Sequence, residues 1–248
     1  CALLALPLVV NQGLSGEVGL GVPLVSSGDE PHYLVELYSL VDDLDLDLRN
    51  NYDEVHRGGP QAGGRYAGKP LDHHVTWYRD GHPIFWWEVF ESDAQRWRRD
   101  GDGAPIPTLR QGVSQRDLPL GPEYPFHPAG LALVIAPLLL PFRGSGWLEP
   151  AALAVSVAAT IAALLVFRSY ARSFAVEPGA ATWVACLAFL GTPLWHYGRS
   201  LFTEPLLTCC AVAGYALASS RGRLVAAGIA IGIGALLKPP FAILALPL

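Results

Sequence analysis

Apolar residues gather at the two ends of this chain. Residues 1–12 form a short apolar opening, residues 13–127 are polar and rich in Gly, Pro, Asp and Arg, and residues 128–248 are almost continuously apolar. In that last stretch, segments 151–167, 180–195, 205–218 and 224–237 read as apolar helices, and residues 240–248 begin another. Segment 129–142 is apolar too, but it carries Pro137 and Pro141 and is shorter than the ~20 residues a spanning helix needs. It is expected to enter the membrane edge without crossing, a full crossing being the competing reading. One helix stands out in the polar stretch. Pro31 suits a first turn, with Asp29 or Glu30 at the cap. Leu34, Leu37, Tyr38 and Val41 then recur on one face. Residues 30–41 therefore predict an amphipathic helix lying on the membrane surface; the alternative is an ordinary helix packed on a soluble core. Residues 54–127 show no sustained periodicity.

Composition sharpens this picture. The 248 residues are 51% hydrophobic and only 16% charged, with a mean hydropathy of +0.31, too apolar for an average soluble domain. The expected fold class is an all-α integral membrane protein, a multi-helix transmembrane bundle with a large external first loop containing the juxtamembrane helix. Its parts are residues 1–12, the end of a first transmembrane helix; residues 13–127, an extracytoplasmic loop; and residues 128–248, the membrane helical region. The absence of Met and the apolar residues at both termini point to a piece of a longer chain. A lipoprotein starting at Cys1, or a cleaved signal segment over residues 1–12, is the alternative. The net charge of −5 comes with no basic stripe, which argues against a nucleic-acid partner.

Arginine placement orients the helices. Arg168 and Arg172 follow one apolar segment, and Arg221 and Arg223 follow another; the positive-inside tendency puts both connections in the cytoplasm. Four polar features are then expected on the external face: Asp29-Glu30, the stretch Glu123 to His127, the loop bearing Arg199 and Glu204, and Lys238 at a Pro-Pro break. Ionisable residues at membrane depth are candidate functional groups. Lys238 is one of only two lysines and has no charged residue near it in sequence. Simple snorkelling is its bland explanation, and capping of a helix N-terminus is that of Glu204.

Metal-binding patterns are weak in the linear sequence. Asp43, Asp45, Asp47 and Glu54 occupy calcium-loop spacings, but Leu48 stands where the loop requires Gly, and a solvated turn fits better. His73 and His74 are adjacent, not spaced for one metal on one helical face. The four cysteines all lie in apolar segments and form no CxxC pair.

Taken in order, these motifs resemble the GT-C superfamily of membrane glycosyltransferases, closest to its protein O-mannosyltransferase and lipid A aminoarabinose transferase branch. The resemblance rests on Asp29-Glu30 followed by the aromatic-containing helix from His32 to Val41, the entry YPFHPAGLALVIAP, Tyr197 with Glu204-Pro205, and Lys238 before Phe241; residues 54–120 do not align. It implies an inverting transfer of a sugar from a polyprenyl-phosphate carrier to a hydroxyl of a glycan, lipid or protein acceptor, at the external face of a bacterial plasma membrane. In that scheme Asp29 is the base, with Glu30 second, and Lys238 and Arg199 neutralise the lipid phosphate. Glu204, His127 and Glu123 are left as a candidate metal or acceptor site. Where some members have a metal-binding Glu before Lys-Pro, this chain has Phe126-His127-Pro128, so no cofactor is firmly implied and a divalent metal stays open. A membrane transporter or flippase, or a non-catalytic protein that binds a lipid-linked sugar, are the competing classes.

Overall fold

The computed structural model describes residues 28–58, 66, 69, 71–91, 98–99, 105–106, 108–118, 121–220 and 222–245. The expected first membrane segment (residues 1–12), the start of the loop that follows it (residues 13–27) and Arg221 lie outside the described residues. The chain divides into two compact units, one of Val18–Gly146 and one of Cys1–Glu17 with Trp147–Leu248.

The Val18–Gly146 unit is built around α1 (Glu30–Tyr38), which starts with an acidic residue and Pro31 in its first turn, the arrangement a helix N-terminus favours. Its end widens into a π-turn at Ser39–Asp43, closed by Leu44 in the left-handed region. The Ser39 hydroxyl donates to the Asp45 backbone oxygen and carboxylate at 3.0 and 3.1 Å. Asp45 then accepts from the Asp47 amide, and Asp47 accepts from the amide of Arg49, where α2 (Arg49–Gly58) begins. Asp43 accepts from Asn50 and Asn51. Asp43, Asp45 and Asp47, three of the acids with calcium-loop spacing, are thus engaged one by one in turns and caps.

A surface helix is not what α1 becomes. Every residue from Glu30 to Tyr38 is buried, with Leu34, Val35 and Leu37 fully so. The apolar stripe noted in the sequence is one side of an element that protein covers on all sides. Both Glu36, 1% exposed, and His32, 4% exposed, are carried into that interior.

The expected all-α unit also contains β-structure. β1 (Val75–Arg79) and β2 (His82–Phe85) form an antiparallel hairpin with Arg79 opposite His82. Asp80 and Gly81 both have positive φ, the backbone a tight two-residue hairpin needs and Asp-Gly supplies. A short helix, α3 (Trp86–Val89), follows. β3 (Arg98–Arg99) and β4 (Pro105–Ile106) pair with each other. β5 (Tyr124–Pro125) joins the free edge of β1, completing the order β2-β1-β5. From there the chain enters α4 (Gly130–Leu139), which packs on α1. At ~15 Å long, α4 is well short of the ~30 Å hydrocarbon thickness. It continues as a 3-10 turn over Leu140–Phe142. The Arg143 guanidinium and Gly144 amide then bond to Asp42 at 2.6 and 2.9 Å, tying that end to the π-turn.

The other unit is helical throughout its described residues. α5 (Leu148–Ser173) has 26 residues and is long and apolar enough to cross a membrane. α6 (Pro178–Leu190), the short α7 (Leu194–Tyr197), α8 (Glu204–Ala218) and α9 (Leu224–Leu237) follow, with a 3-10 segment at Pro239–Ala245. α6, α8 and α9 are apolar but shorter than a full span. α8 packs on both α5 and α9. A Cβ on Gly214 of α8 would lie 2.7 Å from the end of the Ile231 side chain of α9, so the glycine eases a close approach of the two helices, a common device between membrane helices. Tyr170 near the end of α5 accepts from Ser219 at the end of α8. Arg168, Arg172 and Arg223 therefore gather at one end of this bundle.

Burial pushes the Glu36 carboxyl well above the usual carboxylate range, and its Oε2 has no hydrogen-bond partner. A folded-state pKa above the unfolded value of about 4.3 gives a contribution that is complete below that value and is lost as pH rises through the folded one. The Glu36→Gln variant lacks this loss. Its thermal stability is expected to exceed that of the wild type increasingly between about pH 5 and 8, by on the order of 1 kcal/mol or more at the upper end. Parallel melting curves would reveal no such divergence if Glu36 were solvated.

Candidate functional site

The pairing of β1 with β5 sets the site. Val75 lies opposite Pro125, so one residue further along the same antiparallel register His74 faces Phe126, with His127 next to it. The two rings of His74 and His127 are 5.5 Å apart between centroids. α1 brings His32 to the same place: its ring lies 4.2 Å from His74 and 5.5 Å from His127. Each of the three offers one ring nitrogen within 4.8 Å of the others'. Four of the chain's seven histidines, counting His73, thus come together in this unit.

Asp72 organises two of these rings. Its carboxylate lies 3.1 Å from His32 Nε2 and 3.3 Å from His74 Nε2. His32 Nδ1 is hydrogen-bonded to the Tyr52 hydroxyl at 2.9 Å, and Tyr52 is itself buried on α2. Burial alone would raise the Asp72 pKa, but the hydrogen bond from His32 and the neighbouring imidazoles outweigh it and hold the carboxyl below its ordinary range. The histidines respond in the opposite sense. Burial, followed by the charge of His32, brings His74 down to about 3, against the pull of Asp72. Burial also lowers His127, against the attraction of Asp29. These imidazoles are therefore neutral bases at physiological pH. Two of their nitrogens, His74 Nδ1 and His127 Nε2, are buried without a hydrogen-bond partner. Trp86 and Phe126 pack against the His74 ring at 4.2 and 6.0 Å, an aromatic wall that restricts water.

The residues singled out in the sequence fall in three places. Asp29 stands at the head of α1, its side chain 52% exposed, with Oδ1 3.9 Å from His127 Nε2. Glu30 is buried. His127 belongs to the histidine group, but Glu123 does not: it pairs with His73 at 3.0 Å, and its backbone bonds to Leu48 and Asp47. The remaining three lie in the other unit. Glu204, at the start of α8, pairs with Lys238, at the end of α9, at 3.4 Å. Arg199 lies over the Trp195 ring at 4.9 Å. Of the candidate metal or acceptor residues, Glu123 and His127 belong to the Val18–Gly146 unit and Glu204 to the other, and the metal-competent group among the described residues is His32, His74 and His127.

His32, Tyr52, Asp72 and His74 carry the geometry; of these only His74 is weighed for a metal from the sequence, beside His73, and is set aside there because the two are adjacent. The usable signal was the Asp80-Gly81 hairpin, which makes the Asp72-His73-His74 stretch the entry to a strand whose two histidines point to opposite faces. Comparison with family models, curated proteins and solved structures finds no match to this chain.

The His73–Glu123 pair is nearly dry, with side chains 9% and 12% exposed, and leaving one partner without the other is costly. Glu123→Ala is expected to lower the unfolding free energy by about 1–3 kcal/mol, and Glu123→Gln by less, since its amide can still bond to the ring. Chemical denaturation of both variants would measure this; a neutral Glu123→Ala would mean that the pair contributes nothing.

Proposed function

We propose that the chain is part of an inverting, GT-C-type glycosyltransferase that moves a sugar from a polyprenyl-phosphate carrier to an acceptor hydroxyl at the external face of a membrane. The observation that carries this reading is the contrast within the acidic pair. Asp29 is half-exposed at the N-terminus of α1, while Glu30 beside it is buried. A base that removes a proton from an incoming hydroxyl must be ionised and reachable. Asp29 stands at the helix N-terminus, and its exposure leaves room for an acceptor. Glu30 can only support the turn.

The reaction needs positive charge where the lipid phosphate departs. Lys238 and Arg199 are proposed for that role. Lys238 already has Glu204 as a counter-ion, so the phosphate would share or replace that carboxylate. The exposed apolar residues Trp183, Leu187, Leu190, Val225 and Ile229 form the kind of surface that lipid covers, which favours membrane-embedded helices over a soluble bundle.

In the full-length protein in native membranes, Asp29→Asn is expected to reduce sugar transfer from a polyprenyl-phosphate donor by about 10²–10⁴-fold, and Glu30→Gln to act mainly through stability. Undiminished transfer by Asp29→Asn would overturn the role of the base and leave the binding-protein or transporter classes. Sidedness is open to a separate test. In a cysteine-free background, an impermeant thiol reagent added outside is expected to label a cysteine introduced at Gly101 and to spare one at Gly222, since the arginines near the latter favour the cytoplasm. The reverse pattern would place the site on the wrong side for an external carrier.

A further inference from the structure

The histidine group has features that a catalytic aspartate does not require. Three imidazoles converge from three separate elements: the first turn of α1, the entry to β1 and the exit from β5. Their approach is repulsive for protonated rings and unhelpful for neutral ones unless something lies between them. Ordinary buried histidines use both ring nitrogens in hydrogen bonds. Here His74 Nδ1 and His127 Nε2 are buried and have no such partner. The opposite nitrogen of His74 faces Asp72, which also holds His32. A carboxylate that binds the far side of an imidazole fixes its tautomer and aims the near nitrogen's lone pair, the usual support behind a metal-ligating histidine.

We propose that His32, His74 and His127 form a three-histidine site for a divalent transition metal, zinc by the nature of its donors, with Asp72 as the positioning carboxylate. His74 offers Nδ1, His127 offers Nε2, and His32 offers one ring nitrogen in exchange for the contact it now makes with Asp72 or Tyr52. Neutral imidazole suits zinc and its neighbours; calcium and magnesium prefer oxygen. Metal–nitrogen bonds of 2.0–2.1 Å at tetrahedral angles place ligand nitrogens about 3.4 Å apart. The present separations, within 4.8 Å, close to that value with side-chain movements on the order of 1 Å. Three protein ligands leave a fourth position for water or an oxygen ligand, as open zinc sites do. Asp29, 3.9 Å from His127 Nε2, lies at the edge of that position and is a candidate hydrogen-bond partner for whatever occupies it. Glu123 is committed to His73 and supplies no ligand. The metal site stands whether or not the transferase reading does, because it rests on the arrangement of side chains and not on the reaction.

The test measures metal directly. Full-length protein purified in detergent, freed of metal by chelator and then dialysed against Zn²⁺, is expected to retain about one zinc per chain by elemental analysis. His74→Ala and His127→Ala are each expected to weaken Zn²⁺ binding by more than tenfold. Asp72→Asn, acting through the rings, is expected to weaken it by about 10–100-fold. His82→Ala, on the exposed hairpin end of β2, should bind like the wild type. Should a ligand variant misfold, Co²⁺ bound to the wild-type protein serves as the second readout: intense visible absorption from a tetrahedral, nitrogen-rich site supports the proposal, and the pale spectrum of hexaaqua Co²⁺ overturns it. Wild-type protein that holds no zinc after dialysis, or a His74→Ala/His127→Ala double variant that holds as much as the wild type, would also overturn it. Loss of transfer activity by Asp29→Asn with zinc content intact would separate the two proposals.

Discussion

The antiparallel pairing of Val75–Thr76 with Tyr124–Pro125 is the constraint on which the polar half of this molecule turns. Those two short segments lie about fifty residues apart; His74 immediately precedes one, and His127 follows the other after Phe126. Register does the rest. Alternation along a strand means that a one-residue slip would reverse every side chain, sending His74 away from His127 and bringing His73 in its place. The partner strand is held at its start by the Leu48 amide bonding to the Glu123 oxygen at 2.7 Å, immediately before Tyr124 pairs with Thr76. The His73–Glu123 pair locks the same alignment from the opposite face. Adjacent histidines thus take unlike roles because a strand turns neighbours in opposite directions.

The helical part of the fold was legible because long apolar runs have few alternatives. Segments 151–167, 180–195, 205–218 and 224–237 appear as α5, α6, α8 and α9 with boundary shifts of a few residues, and the short 129–142 segment appears as the 10-residue α4 with its 3-10 extension. The helix at residues 30–41 was placed correctly and its surroundings were not. An apolar stripe with His32, Glu30 and Glu36 opposite looks amphipathic, yet all three polar residues are buried. Periodicity reports which face is most apolar; it does not report whether the polar face meets water or a buried polar network. Pairing between β1 and β5 was out of reach because strands of two to five residues carry too little alternation to detect, and their partners are set by tertiary contacts. The hairpin was within reach, since Asp-Gly between Trp77-Tyr78 and Ile84-Phe85 is a strong local signal.

Charge placement separates the two halves of the acidic and histidine-rich unit into what is buried and what is reachable. Burial pushes the Glu36 carboxyl well above the usual carboxylate range. His74 and His127 are kept neutral by burial and by one another. Asp72 keeps its charge only because His32 and His74 face it. Among these groups Asp29 is the carboxylate left half in solvent at a helix N-terminus. A buried interior that tolerates one stabilised negative charge and refuses isolated ones thus leaves Asp29 half-exposed, 3.9 Å from His127 Nε2, a buried nitrogen without a hydrogen-bond partner.

Lys238 shows how sequence isolation can mislead in the helical unit. No acidic residue lies near it along the chain, which made an external anion seem necessary. Helix antiparallelism supplies one instead. α8 begins at Glu204, α9 ends at Lys238, and their tight packing, permitted by Gly214 against Ile231, sets the start of one beside the end of the other. Glu204 then favours the positive end of its own helix dipole and Lys238 the negative end of its own, so each charge is well placed before the two meet at 3.4 Å. The pair is partly exposed, and such pairs contribute little to stability. Its importance is therefore positional: it marks the end of the bundle opposite Arg168, Arg172 and Arg223. An anionic headgroup arriving at that end would meet a lysine whose counter-ion is weakly held, which is easier to displace than a buried, fully hydrogen-bonded partner.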